Sequence, residues 1–190
     1  MASIIEIPAL RTPRLLLRGF AAADWDAFAV MEADPEVRRY RGGNVLSRAE
    51  AWTSMQLVLG QWGLRGYGVF ALTETVSGRF AGIAGVLHPA DWPEPELAYS
   101  LARPFWRQGL ASEAAAAARD WAFAAHGFEH LASFILADNA ASVRVAARLG
   151  ATREGTVTLR GFVAQRWVHP RPGTGKNLSR AAGESLPPGA

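Results

Sequence analysis

Trp106-Arg107-Gln108-Gly109-Leu110-Ala111-Ser112-Glu113 is the stretch on which the chain turns: a strand ends ahead of it, the backbone reverses, and a long alanine-rich helix begins. Gly109 has no Cβ, so the main chain there turns sharply and lets a ligand approach closely, while Ala111 and Ser112 leave the first helical turn unobstructed. The first N–H groups of a helix have no partner within it and, with the macrodipole, attract phosphate. Arg103 and Arg107 add positive charge on the approach. The stretch reads as an anion-binding helix start. A glycine ahead of a helix also serves as an ordinary turn residue, so the rest of the chain must supply the context.

At 190 residues the chain suits one domain with a sizeable core and room for a short appendage. Its apolar content of 49% fits a folded soluble protein. No apolar run approaches the roughly 20 residues that span a bilayer. The segment Met1 to Ala9 lacks the charged start and apolar centre of a secretion signal, so a cytoplasmic protein with no membrane partner is expected. The absence of cysteine excludes disulfides, thiolate metal sites and thiol nucleophiles. His88, His126, His130 and His169 form no HExxH pattern, and no metal centre is expected. The net charge is +3 and Lys176 is the only lysine. That balance suits acidic ligands but is too modest and scattered to argue for nucleic acid.

Residues 11–20, bounded by Pro13 and Gly19, read as a first strand. Asp24 is placed to cap a helix through about Met31, with Trp25, Phe28 and Met31 spaced to face a core. Asp34-Pro35 breaks the chain, and Arg38 to Asn44, with its paired glycines, reads as a mobile loop beside a cleft. Ser47-Arg-Ala-Glu50 has capping-box spacing and opens a second helix to about Trp62. Tyr67–Thr75 and Arg79–Leu87 form a hairpin around Val76-Ser-Gly78, and Glu96–Leu101 makes another strand after a polar, proline-rich loop. The helix from Leu110 to about Ala125 carries Leu110, Ala114, Ala117, Trp121 and Ala125 on one face and stops at Gly127. A strand over Leu131–Leu136 and a helix over Asn139–Leu149 follow, the helix capped by Asn139 and Gly150. Thr152–Leu159 and Phe162–Val168 close the domain as a hairpin around Arg160-Gly161. The proline-, glycine- and serine-rich end is expected to be a disordered tail, dividing the chain into a domain over 1–169 and a tail over 170–190. This order gives an α+β, mixed-sheet domain.

Three stretches carry a resemblance to a known family. Leu10-Arg-Thr-Pro-Arg-Leu-Leu-Leu-Arg18 is followed by Asp34-Pro-Glu-Val-Arg-Arg-Tyr40; Glu96-Leu-Ala-Tyr-Ser-Leu101 leads into Trp106 to Ala114; and Asn139 to Gly150 is followed by Arg153-Glu-Gly155. In this order and spacing they resemble the GCN5-related N-acetyltransferase (GNAT) family, and within it the ribosomal-protein N-terminal acetyltransferase (RimJ/RimL-like) branch. The resemblance spans about residues 10 to 168. It implies a mostly antiparallel twisted sheet of about six or seven strands, splayed at an acyl-CoA site and flanked by about four helices.

The resemblance also implies a reaction, the direct transfer of acetyl from acetyl-CoA to a primary amine. The acceptor is expected to be a peptide or protein N-terminus; a small amine such as a polyamine, an aminoglycoside or an amino acid is the alternative, and a non-catalytic acyl-CoA-binding module is a further one. Carried over by position, Leu101 and Arg103 flank pantetheine and Gln108, Gly109, Leu110 and Ala111 offer N–H groups to the pyrophosphate. Arg107 adds a phosphate contact, Ser112 belongs to the same turn, and Asn139 and Ser142 lie near the thiol. An ammonium must lose a proton before it attacks, so a carboxylate is wanted nearby. Glu96 is the first choice, with Glu94 and Asp91 as further candidates. These three and Glu36 would favour a cationic acceptor if they converge on one cleft. Many family members protonate the departing thiolate with a Tyr in the last helix, where this chain has Ala146; Ser142 is the candidate to hydrogen-bond the sulfur instead. Tyr99, Trp92 and His88 are candidates to line the acceptor pocket, with core packing as their other reading. Ala151 stands where the family usually has an aromatic, which implies looser packing there. A monomer or a homodimer is expected.

Overall fold

A computed structural model describes residues 6–171. Its eight strands form one sheet in the order β1-β2-β3-β4-β5-β6-β8-β7, antiparallel except between β5 and β6. The strands are β1 (Leu10–Arg11), β2 (Leu15–Arg18), β3 (Val69–Glu74), β4 (Phe80–Leu87), β5 (Glu96–Leu101), β6 (His130–Ile135), β7 (Thr152–Leu159) and β8 (Phe162–Pro170). The helices are α1 (Trp25–Glu32), α2 (Pro35–Arg38), α3 (Arg48–Arg65), α4 (Leu110–His126) and α5 (Ala140–Arg148). The expected first strand is thus two, because Pro13 interrupts it, and Pro35 opens the short α2 rather than merely breaking the chain. Pro170 still pairs with His130, while the expected tail lies, from residue 172 on, outside the described residues. Among the described residues no helix is long and apolar enough to cross a membrane.

Alternation along the central strands sends side chains into two cores. Phe70 and Leu72 of β3 join Leu97, Leu101 and the buried stripe of α4 on one face; Val69 and Ile83 meet Phe28, Met31 and Met55 from α1 and α3 on the other. Covered on both faces, β4 is almost wholly buried, whereas the edge strand β7 is almost wholly exposed. The buried stripe of α4 is Leu110, Ala114, Ala118 and Ala122, rotated from the one expected, and Ala125 is exposed. Alanines at 114–118 make two stripes nearly equivalent on paper, and the large Phe123 is what turns the helix inward.

Several local expectations hold. The Ser47–Glu50 capping box starts α3, which runs one turn past Trp62 to a left-handed Gly66. Gly127 closes α4 in the same conformation. Asp24 corrects one: its side chain makes no cap bond to α1 but accepts from Ala21 N–H at 2.8 Å and pairs with both terminal nitrogens of Arg18 at 2.7 Å.

β5 and β6 define the site. They pair only at Glu96↔Ala132 and then diverge. At the vertex Ser133 Oγ donates to Leu97 O at 2.7 Å and meets Nε2 of the fully buried His169 at 2.9 Å. Ala102 N–H bonds Ala81 O on β4, so by alternation the main-chain groups of Tyr99 and Leu101 face the open side. β5 lies unusually close to β4 here: a Cβ on Gly82 would stand 2.3 Å from Ser100 O.

Candidate active site

The splay opens into a cleft of about 1810 Å³ that runs from the start of α4, past the β5 edge, to the loops after α2 and β4. At its α4 end Gly109 holds φ 78° and Arg107 φ 60°, so two residues of the turn are left-handed. The chain therefore reaches Leu110 with the first N–H groups of α4 free of any preceding strand or cap side chain. The turn is anchored from behind. Arg14 Nη1 donates to Gln108 O at 2.8 Å, and Glu113 accepts from Thr12 Oγ1, Arg14 N–H and Arg14 Nε at 2.6, 2.9 and 2.7 Å. Arg148 of α5 donates to Ser112 Oγ at 2.9 Å and joins the two helices at the mouth. Gly109, Leu110, Ala111, Ser112 and Arg107 line the cleft. Arg103 and Gln108 do not: Arg103 lies 3.7 Å from Asp34, and Gln108 folds back to Pro104 O at 2.9 Å. Trp106 Nε1 donates to Leu101 O at 2.6 Å, which leaves the Leu101 N–H as the group offered to a ligand.

Glu96 sits at the vertex of the splay. Trp92 Nε1 donates to its Oε2 at 2.7 Å, and Phe134 N–H, the first amide of β6 freed by the divergence, reaches Oε1 at 3.4 Å. Burial pushes the Glu96 carboxyl up to about 7, against the opposing pull of those two hydrogen bonds and the charge of Arg41. Of the three candidate carboxyls it alone is raised. Asp91 and Glu94 are not comparable. Arg160 binds Asp91 through two nitrogens, Arg166 and His130 bind Glu94, and these partners hold both carboxyls below their usual range. Neither lines the cleft, so the four acidic residues do not converge; Glu36 and Glu96 alone do.

Across the gap, Tyr99 OH donates to Ser142 O at 3.1 Å, and burial pushes its phenol up, so it stays protonated. Asn139 caps α5 by accepting Ser142 N–H at 3.2 Å. Ser142 and Asn139 line the cleft, whereas Ala146 is turned away and buried against Ile135 and Ala151. The small Ala151 is buried, with Trp167 packed against its cluster. Trp92 lines the cleft under the Arg160 guanidinium, 4.8 Å from its ring, and so orients Glu96. His88 also lines it, but its Nδ1 is 2.9 Å from Tyr67 OH and its amide donates to Gln61 Oε1, so it is a tethered wall residue.

The loop after α2, read as a mobile segment, borders the cleft as expected and is tied at several points. Glu32, fully buried, accepts Arg38 Nη1 at 2.9 Å and Arg41 Nη1 at 2.5 Å, and Tyr40 OH donates to Asp138 O at 3.3 Å across the cleft. Glu32, Arg38, Arg41, Arg14 and Glu113 were invisible as a set in the sequence, because each pair joins segments with no shared motif.

This geometry has known counterparts. A family model described as "Acetyltransferase (GNAT) domain" matches residues 14–152. The chain belongs to the GNAT acetyltransferase family. Among curated relatives, an uncharacterized N-acetyltransferase, YoaA, of Bacillus subtilis is 28% identical over 159 residues, covering 79% of this chain and 86% of its own. The crystal structure of an acetyltransferase from Agrobacterium tumefaciens superposes with a TM-score of 0.80 at 29% identity, covering 90% of this chain and 99% of that one. The fold alone is shared with a ribosomal L7/L12 α-N-protein acetyltransferase, RimL, in complex with coenzyme A (TM-score 0.67, 20% identity, 87% and 98% coverage). It is likewise shared with a spermidine N-acetyltransferase from Vibrio cholerae in complex with CoA and spermine (TM-score 0.70, 13% identity, 84% and 97% coverage). GNAT acetyltransferases use acetyl-CoA, and the residues here fit it: an unencumbered helix start for phosphates and a free strand edge for an amide-bearing arm.

Proposed function

We propose that this GNAT protein transfers acetyl from acetyl-CoA directly to the nitrogen of a primary amine, with a peptide or protein N-terminus as the first acceptor class and a small amine as the second. The observation that carries the reading is Glu96: a carboxyl pushed up to about 7 at the vertex of a splay whose other end is an open helix start. In this reading the N–H groups of Gly109 to Ala111 receive the pyrophosphate, with Arg107 and Arg148 as flanking charge. The Leu101 N–H and the β5 edge receive the pantetheine arm, so the thioester carbonyl reaches the vertex. Glu96 takes a proton from the acceptor ammonium, and the freed amine attacks the thioester carbon. The C–N bond forms, a main-chain N–H on the open β5 edge, nearer the vertex than Leu101, stabilises the oxyanion, and the C–S bond breaks. The thiolate of CoA leaves toward Ser142, whose hydroxyl hydrogen-bonds it in place of the phenol that Ala146 cannot supply, and it takes up the second proton shed by the acylated nitrogen.

Thermal shift with acetyl-CoA and CoA, against ATP and NAD at equal concentration, tests the first half. Ligand at about 100 times its Kd stabilises a fold by roughly 2.7 kcal/mol. A shift with both CoA species and not the others is the expected outcome. Thiol release on adding amines tests the second half; binding without turnover of any amine would leave an acyl-CoA-binding module.

A further inference from the structure

Resting on the transferase reading, we propose that the acceptor is an amine that bears a carboxylate close to the reacting nitrogen, and that Arg41 receives this carboxylate. The anchor is the buried Glu32. One carboxylate satisfies two guanidiniums, one oxygen each, and so leaves the pair with a net positive charge facing the cleft. Arg38 is committed to holding the loop, since its Nε also donates to Asn44 O at 2.8 Å. Arg41 gives Glu32 one nitrogen and remains partly exposed on the cleft wall, with the rest of its guanidinium available as a donor fork. Its charge acts on Glu96 as well. A small acceptor lying between the two therefore has its ammonium at Glu96 and its anion at Arg41.

The rest of the acceptor wall agrees. Arg39, stacked over Tyr40, and Arg65 also line it, and among the described residues Glu36 is the one lining carboxylate besides Glu96. Asp91 and Glu94, which would have made the wall acidic, are neutralised and lie off it. A polyamine would set several ammonium groups beside unneutralised guanidiniums in a partly desolvated cleft, which is repulsive. A carboxylate in the same place gains a charge-assisted, potentially bidentate partner.

A free amino acid and an acidic N-terminal peptide share this chemistry, and paired acceptors separate them. Thiol release from acetyl-CoA is measured with serine against serinamide, with the amidated peptide Ser-Glu-Glu-Ala against Ser-Lys-Lys-Ala, and with spermidine. The carboxylate member of at least one pair is expected to exceed its twin in kcat/KM by about tenfold or more, the worth of one charge-assisted hydrogen bond. Preference within the first pair identifies an amino acid; preference within the second identifies an acidic peptide end. Arg41→Gln is expected to collapse that ratio through KM, and Arg41→Lys to restore part of it. The ratio in the unmutated protein stands as the test even where Arg41→Gln weakens the fold by releasing Glu32. Turnover of spermidine or of the uncarboxylated twins without a carboxylate advantage overturns the proposal and leaves the transferase standing. Acetyl-CoA binding with no acetylation of any of these amines takes both down.

Discussion

The two ends of the cleft are built by different physics. At the proposed nucleotide end the groups on offer are main-chain amides, set by two left-handed residues and a helix start within one short stretch of chain. At the acceptor end they are side chains held by ion pairs: Arg38 and Arg41 by the nearby Glu32 and, beside the cleft, Arg160 by Asp91 and Arg166 by Glu94 from far along the chain. A backbone site tolerates change in most of its side chains, provided the turn survives. A side-chain site fails when one partner is removed, because the other is left charged and desolvated. The nucleotide end therefore suits a common ligand, and the acceptor end is where members of one fold can diverge.

Substitutions can break or sharpen that contrast. The largest effect on stability is expected from Glu32→Ala, which leaves two guanidiniums without their shared buried carboxylate and costs about 3–5 kcal/mol in denaturant unfolding. A cost near that of an ordinary surface change would show that the acceptor end is not held by this pair. On the activity side, Glu96→Gln is expected to lower kcat by about 10²- to 10⁴-fold while the thermal shift with CoA persists. In the unmutated protein kcat/KM should rise with pH through about 7, and this limb should vanish in the variant. The stability sign is opposite. A carboxyl raised to about 7 from its usual 4.5 favours the fold fully below pH 4.5 and loses that contribution as the pH rises through 7. Glu96→Gln should therefore raise Tm relative to the parent at pH 8 and not at pH 4.

A smaller pair of effects belongs to the nucleotide end. Gly109→Ala forces a Cβ into a left-handed position at a cost of about 1–2 kcal/mol, and should weaken CoA binding with it. Arg107→Gly should do the reverse for stability, relieving a similar strain at φ 60°, while removing one charge from the phosphate approach. If both substitutions destabilise equally, backbone conformation is not what sets the turn. Smallest is Tyr99→Phe. Loss of the 3.1 Å bond to Ser142 O is expected to cost about 1 kcal/mol, with kcat reduced as the two walls of the splay lose their tie.

Much of this was legible in the chain. β5 matches its expected limits, α3 starts at its capping box, and the turn at Gly109 is the helix start it was read as. Other features were not. Asp24 looked like a helix cap because a cap and an ion-pair acceptor use the same side chain, and only the approach of Arg18 along β2 decides between them. Asp91 and Glu94 looked like bases until the β7–β8 hairpin brought Arg160 and Arg166 against them.

The sequence by itself determined what depends on near neighbours: hydrophobic period, caps, turn glycines and the open helix start at Gly109, since these are set by backbone sterics and hydrogen bonds within a few residues. Only the tertiary structure decided which carboxyl is raised by burial and left without an ion-pair partner, and which arginine keeps donors turned to the cleft. Those properties depend on burial and on which partners the fold brings together, some from far along the chain, and local spacing carries no record of either.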